Sequence, residues 1–322
     1  MSQLQTPIAF CVFNRPDVTG RVFEEIAKQR PRHLLVIGDG PRADHPEDPE
    51  LIIRTRQILD RIDWPCDLRT CFAEQNLGCG KRMGTGITWA FEQFEELIIL
   101  EDDCLPNPSF FGFCENLLSR FRDHPKIKMI SGNNFAPTSK SQQSYYFSKW
   151  PLIWGWASWR HAWNNFNNVT PPKNDFELTS ILRQVHTNSD ELTRWTAIMK
   201  DFFAGKIDTW DFHWTYSIWQ QQGLTVLPRE NLVSNIGFGP NATHTTDQQS
   251  PLANIPTHEI SKLLHPSFIE ADTVADRWTY ENIMHLEGTS EANPQGVRPP
   301  KKRNWLKRLL RPSYKARMRT SP

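Results

Sequence analysis

The stretch Leu97-Ile98-Ile99-Leu100-Glu101-Asp102-Asp103 constrains this chain more than any other: four apolar residues run straight into three consecutive carboxylates. Apolar residues without polar alternation suit a strand buried on both faces, as in the middle of a parallel sheet. Open α/β sheets place ligands beyond the carboxyl ends of such strands. Three adjacent acids repel one another unless a cation or a solvated cleft relieves them. The segment therefore predicts a buried strand ending at a site for a divalent metal and, through it, a phosphate-bearing substrate. A solvated acidic turn, or the start of the helix after Pro106, is the plainer alternative.

The order of patterns around this stretch extends the expectation. Ile8 to Phe13 and Leu34 to Ile37 read as strands, the first followed by Asn14-Arg15-Pro16 and the second by the turn Gly38-Asp39-Gly40-Pro41. Asp17 reads as the cap of a helix that places Val18, Val22 and Ile26 on one face. A helix with Leu51, Ile58 and Ile62 in register comes next, then a short strand from Leu68 to Phe72. The glycine-rich loop Asn76 to Arg82 opens a helix carrying Ile87, Phe91 and Phe94. Alternation of this kind predicts a doubly wound, mostly parallel sheet flanked by helices. Further helices are expected after Pro108, twice between Asp175 and Ala204, from Asp211 through Ile218, and from Asp272 to about Leu286, with strands at 127–130 and 224–227.

Length allows one large α/β domain with an appendage. The expected division is a domain over 1–246, a helical extension and linker over 247–297, and a basic tail over 298–322. Lysine plus arginine (37) nearly balance aspartate plus glutamate (36), which argues against a nucleic-acid partner. The balance is uneven, because residues 298–319 hold ten of the basic residues and no acid. That tail, with Trp305, Leu306, Leu309 and Leu310, suits the surface of an anionic membrane; a solvated end is the other reading. Six cysteines without a C-x-x-C pair suit reduced, buried thiols. No apolar run approaches the roughly 20 residues of a membrane span, and the first residues lack a basic signal-peptide start. A cytoplasmic protein, with peripheral contact at the inner membrane face through the tail, is expected.

The segment Trp150 to Trp159 holds Trp154 and Trp156 around Gly155. Indole faces stack on sugar C–H faces and indole N–H groups donate to hydroxyls, so these two tryptophans are candidates to face a substrate, with Gly155 permitting close approach. Most of the segment's other tryptophans read as core, in a hairpin or helix. Asp211, in Asp208-Thr209-Trp210-Asp211-Phe212-His213-Trp214, is a candidate general base or a plain helix cap, with His213 as a competing base or a packed residue.

The acids after their strand resemble the metal-binding D-x-D-type motif of GT-A fold glycosyltransferases, and the Glu-Asp-Asp form is similar to that of the N-acetylglucosaminyltransferase I-like enzymes. The segment Asn76-Leu77-Gly78 with its helix resembles what precedes this motif in family-2-like transferases. Pro7 to Arg15 and Ile37 to Gly40 resemble the fold's first two nucleotide-contacting strand ends. The resemblance spans roughly residues 6–246. It implies a nucleotide-diphosphate sugar donor, a carbohydrate or glycoconjugate acceptor, a Mn²⁺ or Mg²⁺ cofactor, and inverting transfer of a hexosyl or N-acetylhexosaminyl type.

It implies Asp103 as the main metal ligand, with His244 a further one; a histidine in a polar loop is otherwise an exposed residue. Glu101 and Asp102 would face ribose or donor sugar, Asp39 the nucleobase, and Phe10, Asn14 and Arg15 the nucleotide pocket. Lys81 or Arg82 would face the diphosphate, although this chain has Met83 where related transferases tend to carry an arginine. Asp211 would be the base. A sugar-1-phosphate nucleotidyltransferase and a non-catalytic carbohydrate-binding protein are the competing readings. The former usually carries a glycine-rich loop with a basic residue after the first strand, which Asn14-Arg15-Pro16-Asp17 does not supply.

Overall fold

The structure is a computed structural model that describes residues 3–137, 143–239 and 247–284. Its first hundred residues follow the expected alternation: β1 (Ile8–Val12), α1 (Pro16–Gln29), β2 (His33–Gly38), α2 (Asp48–Gln57), β3 (Asp67–Phe72), α3 (Cys79–Gln93) and β4 (Glu96–Glu101). The acids then turn the chain into β5 (Cys104–Pro106), followed by α4 (Ser109–Phe121), β6 (Ile127–Ser131), β7 (Tyr145–Ser148) and β8 (Trp156–Trp159). Next come α5 (Arg160–Asn167), α6 (Asp175–Arg183), α7 (Ser189–Phe203) and α8 (Asp211–Gln220), then β9 (Leu224–Pro228), β10 (Val233–Asn235) and α9 (Thr273–Thr279).

Eight strands form one sheet in the order β3-β2-β1-β4-β8-β6-β9-β7. The first four are parallel, and β8 enters antiparallel between β4 and β6. β9 runs parallel to β6 and β7 closes the edge antiparallel. The sheet is therefore α/β and mostly parallel, as expected. Cys11 is in register with both Ile37 and Glu101, so β1, β2 and β4 end at one level. Leu97 to Leu100 are fully buried. Such burial stabilises by roughly 1.5–3 kcal/mol per large aliphatic side chain and anchors the strand whose end carries the acids.

Local details differ from expectation where packing overrides sequence. Arg15 occupies the N-cap of α1 and Pro16 its first turn, which leaves Asp17 inside the helix. Proline suits that position because its missing N–H would be unpaired there. In α2 the buried positions are Asp48, Ile52 and Thr55, and the helix passes into a 3-10 turn at Ile58–Arg61. Asp272 caps α9 by accepting from Ala275 N at 3.0 Å, and the chain continues as a π turn through Met284.

The expected linker and the basic tail lie outside the described residues. Residues 247–284 run back along the body: Asn254 N donates to Asn235 O, His258 N to Asn231 O, and Asp272 N to Phe147 O. The core has two parts. The larger lies around β1, β2, β4, β6 and β8. The smaller gathers Trp150, Trp195, Trp219 and Tyr280 with α6, α7 and β7. Among the described residues no helix is long and apolar enough to cross a membrane.

Candidate active site

The site forms beyond the carboxyl ends of β1, β2 and β4. Asp102 and Asp103 occupy the turn between β4 and β5. Pairing of Asn235 with Cys104 and a bond from Ile236 N to Asp103 O (2.9 Å) fix that turn. Gly237 crosses against it, where any Cβ would collide with the Asp103 carboxylate. Arg15, just past β1, donates from Nε to Asp102 Oδ2 (3.2 Å) and from Nη2 to Asp103 Oδ2 (3.0 Å) and Asp102 Oδ1. Its carbonyl accepts from Thr19 N and Thr19 Oγ1, so the clamp grows from a fixed helix start.

Carboxylates still outweigh cations here. Burial pushes the Glu101 carboxyl well above the usual range, and the charges of Asp103, Asp102 and Asp211 add to the effect against the pull of Arg15. Burial also raises Asp102, even though Arg15 opposes the shift. Asp211, at the start of α8, comes near enough for its charge to act on Glu101, although over a hundred residues separate the two in sequence.

The glycine loop forms the facing wall. Asp39 accepts from Gly40 N (2.8 Å), Leu77 N (2.9 Å) and Asn76 Nδ2 (3.1 Å), which ties the end of β2 to the loop before α3. Burial raises the Asp39 carboxyl, against these bonds and the nearby Arg82 charge. Gly78 has φ 80°, open to glycine at little cost. A Cβ on Gly80 would strike Asp208 Oδ1 and one on Gly78 would press on Asp208 Oδ2. The Thr209 hydroxyl donates to Asp211 Oδ1. Cys79 lies among these acids: burial raises its thiol, with Glu101, Asp211, Asp208 and Asp39 adding to the shift.

Asp39, Glu101, Asp102, Asp103 and Asp211 are thus brought together, with Arg15 among them. Asp208 joins them and was not singled out from sequence; the signal was a second acid three residues before Asp211, ahead of a helix.

Other expected residues lie elsewhere. Phe10 is fully buried and belongs to the core instead of lining a nucleotide pocket, because β1 is covered on both faces. Asn14 donates to Asp48 Oδ1 (2.7 Å). Lys81 is exposed at the start of α3, whereas Arg82 is buried and donates to Cys71 O (2.5 Å). Trp154 is half-buried; its backbone N–H donates to Asn133 Oδ1, and its ring meets Phe238, one residue past Gly237, edge-on at 5.8 Å. Trp156 is fully buried against Trp163, Trp210 and Trp214, and packs instead of facing a substrate. Gly155 has φ 65° and lies against Val233 and Leu100, so its small size admits protein side chains and not a ligand. His213 is half-buried beside Phe166 (4.5 Å), and burial lowers its pKa. His244 lies outside the described residues.

Among the described residues, the three side chains with ligand atoms gathered as for a metal are His45, Glu47 and Asp48. Asp48 is saturated, however: it accepts from Arg42 N, Nε and Nη2 and from Asn14 Nδ2 at 2.7–3.0 Å. That group is an ion pair holding a loop. The acids at 101–103 fit a hard divalent cation better, since they offer three carboxyl groups as oxygen donors against the single Arg15 guanidinium. Asp103, at the turn between the clamp and Gly237, keeps a carboxylate oxygen beside the Arg15 guanidinium and is the donor that would hold it.

No protein-family model matches the sequence, and no curated protein sequence matches it. Solved structures resemble parts of the fold. Residues 1–349 of S. aureus TarS are 11% identical with a TM-score of 0.42, covering 71% of this chain and 59% of that one. The mannosyltransferase PcManGT from Pyrobaculum calidifontis, solved with GDP-Man and Mn²⁺, is 12% identical with a TM-score of 0.35, covering 58% of this chain and 54% of that one. A UDP-glucose pyrophosphorylase complexed with UDP-glucose is 10% identical with a TM-score of 0.33, covering 53% and 82%. The chain thus spans under two thirds of the first two. With TM-scores below 0.5, none of these likenesses extends to a reaction or ligand of this chain.

Proposed function

We propose that this chain is a glycosyltransferase that moves a sugar from a nucleotide-diphosphate donor to a hydroxyl acceptor. The observation that carries the reading is the meeting of Asp211 with the acids of β4 and the Arg15 clamp at the ends of parallel strands. That arrangement supplies a carboxylate for the attacking hydroxyl, a cation for a departing diphosphate and further acids for sugar and ribose hydroxyls.

In this reading Asp211 accepts the acceptor's proton as its oxygen attacks the anomeric carbon, and a single displacement inverts that carbon. Glu101 and Asp102 orient donor hydroxyls, while Asp39 holds the loop over the base. Asp103 would hold a Mn²⁺ or Mg²⁺ ion, which when bound would supply charge stabilisation to the leaving diphosphate. Arg15 exchanges one ion pair for another, meeting the diphosphate with the guanidinium that now serves the acids. The transferred group is a hexosyl or N-acetylhexosaminyl unit, and acceptors are carbohydrate or glycoconjugate.

The test is incubation with a panel of UDP-, GDP- and TDP-sugars and Mn²⁺. Slow release of nucleoside diphosphate is expected, and Asp103→Ala should lower metal-dependent nucleotide affinity by about a hundredfold or more. Release of pyrophosphate would assign a nucleotidyltransferase. Unchanged affinity in Asp103→Ala would remove the metal role.

A further inference from the structure

A groove of 390 Å³ runs along α3, between that helix, the end of α5 and α8. Its volume falls in the range of about 300–1,000 Å³ usual for small-molecule sites. Lys81, Thr85, Trp89 and Glu92 come from α3, Asn167 from the end of α5 and His213 from α8. We propose that this groove binds the acceptor and that the acceptor is a saccharide, an inference that rests on the transferase reading and names the occupant of its second site.

Position supports this. Gly80 lines the groove and packs against Asp208 and Thr209, so this end of the groove abuts the turn that leads into Asp211. His213 follows Asp211 by two residues on the same helix and lines the groove. A saccharide held at this end would extend its hydroxyls toward the turn that carries the proposed base.

The walls match a sugar in chemistry. An indole and a phenyl ring stand among hydroxyl, amide, ammonium, carboxylate and imidazole groups, a mixture suited to a ligand with apolar C–H faces and many hydroxyls. Lys81 and Glu92 carry opposite charge near the two ends, which favours a neutral occupant over a polyanion. The floor is prearranged. The Phe166 ring stacks on Trp163 (4.2 Å, 12°) and meets His213, Trp163 Nε1 donates to Thr88 Oγ1 (3.0 Å), and that hydroxyl bonds Asn167 Oδ1 (3.1 Å). Fixed walls lower the ordering cost of binding.

The test is saturation-transfer NMR with methyl β-glucopyranoside, methyl β-galactopyranoside and methyl N-acetyl-β-glucosaminide as probes, at millimolar concentration and without nucleotide. Wild-type protein is expected to transfer saturation to at least one glycoside. Trp89→Ala and Thr85→Tyr should each weaken that binding about fivefold or more. Trp89 is half-buried, so circular dichroism checks its variant; Thr85 is exposed and Tyr there fills the groove without touching the core. Silence in wild type, unchanged binding in Thr85→Tyr, or loss in Trp154→Ala alone would overturn the proposal. Because no nucleotide takes part, failure of the donor reading appears separately, as absence of nucleoside diphosphate release.

Discussion

Around the ends of β1, β2 and β4, carboxylates outnumber guanidiniums; between β7, α7 and α9, buried charges are matched inside the protein. Glu191 accepts from Lys149 and pairs with His186, while Asp276 accepts from the Ser148 hydroxyl and from Lys149 N. Both regions bury ionisable groups, and burial alone does not separate function from structure. What separates them is whether the protein completes the charge balance. Burial raises Glu191, but the bonds from His186 and Lys149 win, and its carboxyl titrates below its usual range. Glu101 shifts the other way, well upward, with like charges on three sides. An unbalanced cluster held in place by glycines and a clamp is suited to a cation and, through that cation, to a phosphate-bearing ligand.

The contrast breaks most sharply at Asp211. Asp211→Asn should slow transfer about 10²–10⁴-fold while leaving nucleotide affinity within about twofold; full activity would remove Asp211 as base. In the matched region the cost is to stability. Lys149→Met leaves Glu191 without its ammonium and should cost about 3–5 kcal/mol in denaturant unfolding. A loss under about 1 kcal/mol would show that His186 alone balances Glu191.

A pH experiment sharpens the same region. Burial pushes the Asp276 carboxyl up to about 6 from an ordinary 3.8, against its bonds from Ser148 and Lys149. A raised folded value means that this group favours folding fully below its unfolded pKa. The contribution is lost as pH rises through about 6. The decline between pH 4 and 6 should amount to at most about 3 kcal/mol. Asp276→Asn should flatten that part of the stability profile; an identical slope in the variant would exclude Asp276 as its source. The smallest effect is expected at Glu101. Glu101→Gln removes one charge from a crowded set and should raise stability by about 0.5–2 kcal/mol at the expense of turnover.

Strands β1, β2 and β4 were legible because their apolar runs stop at polar or glycine-rich turns, and α8 because Asp211 opens a helical pattern. The Arg15 clamp was not: Arg15 and Asp103 are 88 residues apart, and nothing local signals their pairing. Phe10 and Trp156 were misplaced for one physical reason. Both sit on strands buried on both faces, where alternation no longer tells an inward side chain from an outward one. Trp154 differs because it precedes the turn at Gly155 and stays half-buried. The groove along α3 was hidden too, since its walls come from three helices whose packing the periodicity of any one does not reveal.

The close crossing of Gly237 over Asp103 also bears on how the molecule is made. Arg15 leaves the ribosome early, Asp103 much later, Asp211 later still and Gly237 last of the four. Until that last segment emerges, the two acids face water from a half-built sheet, and their mutual repulsion is screened by solvent. Contacts of such long range form slowly. Synthesis proceeds at about 5–20 residues per second, so the parallel half has time to settle before its site is sealed. The acidic cluster is thus completed late in synthesis, and translation products truncated before Gly237 should carry a folded sheet edge whose turn at Asp103 is left uncovered.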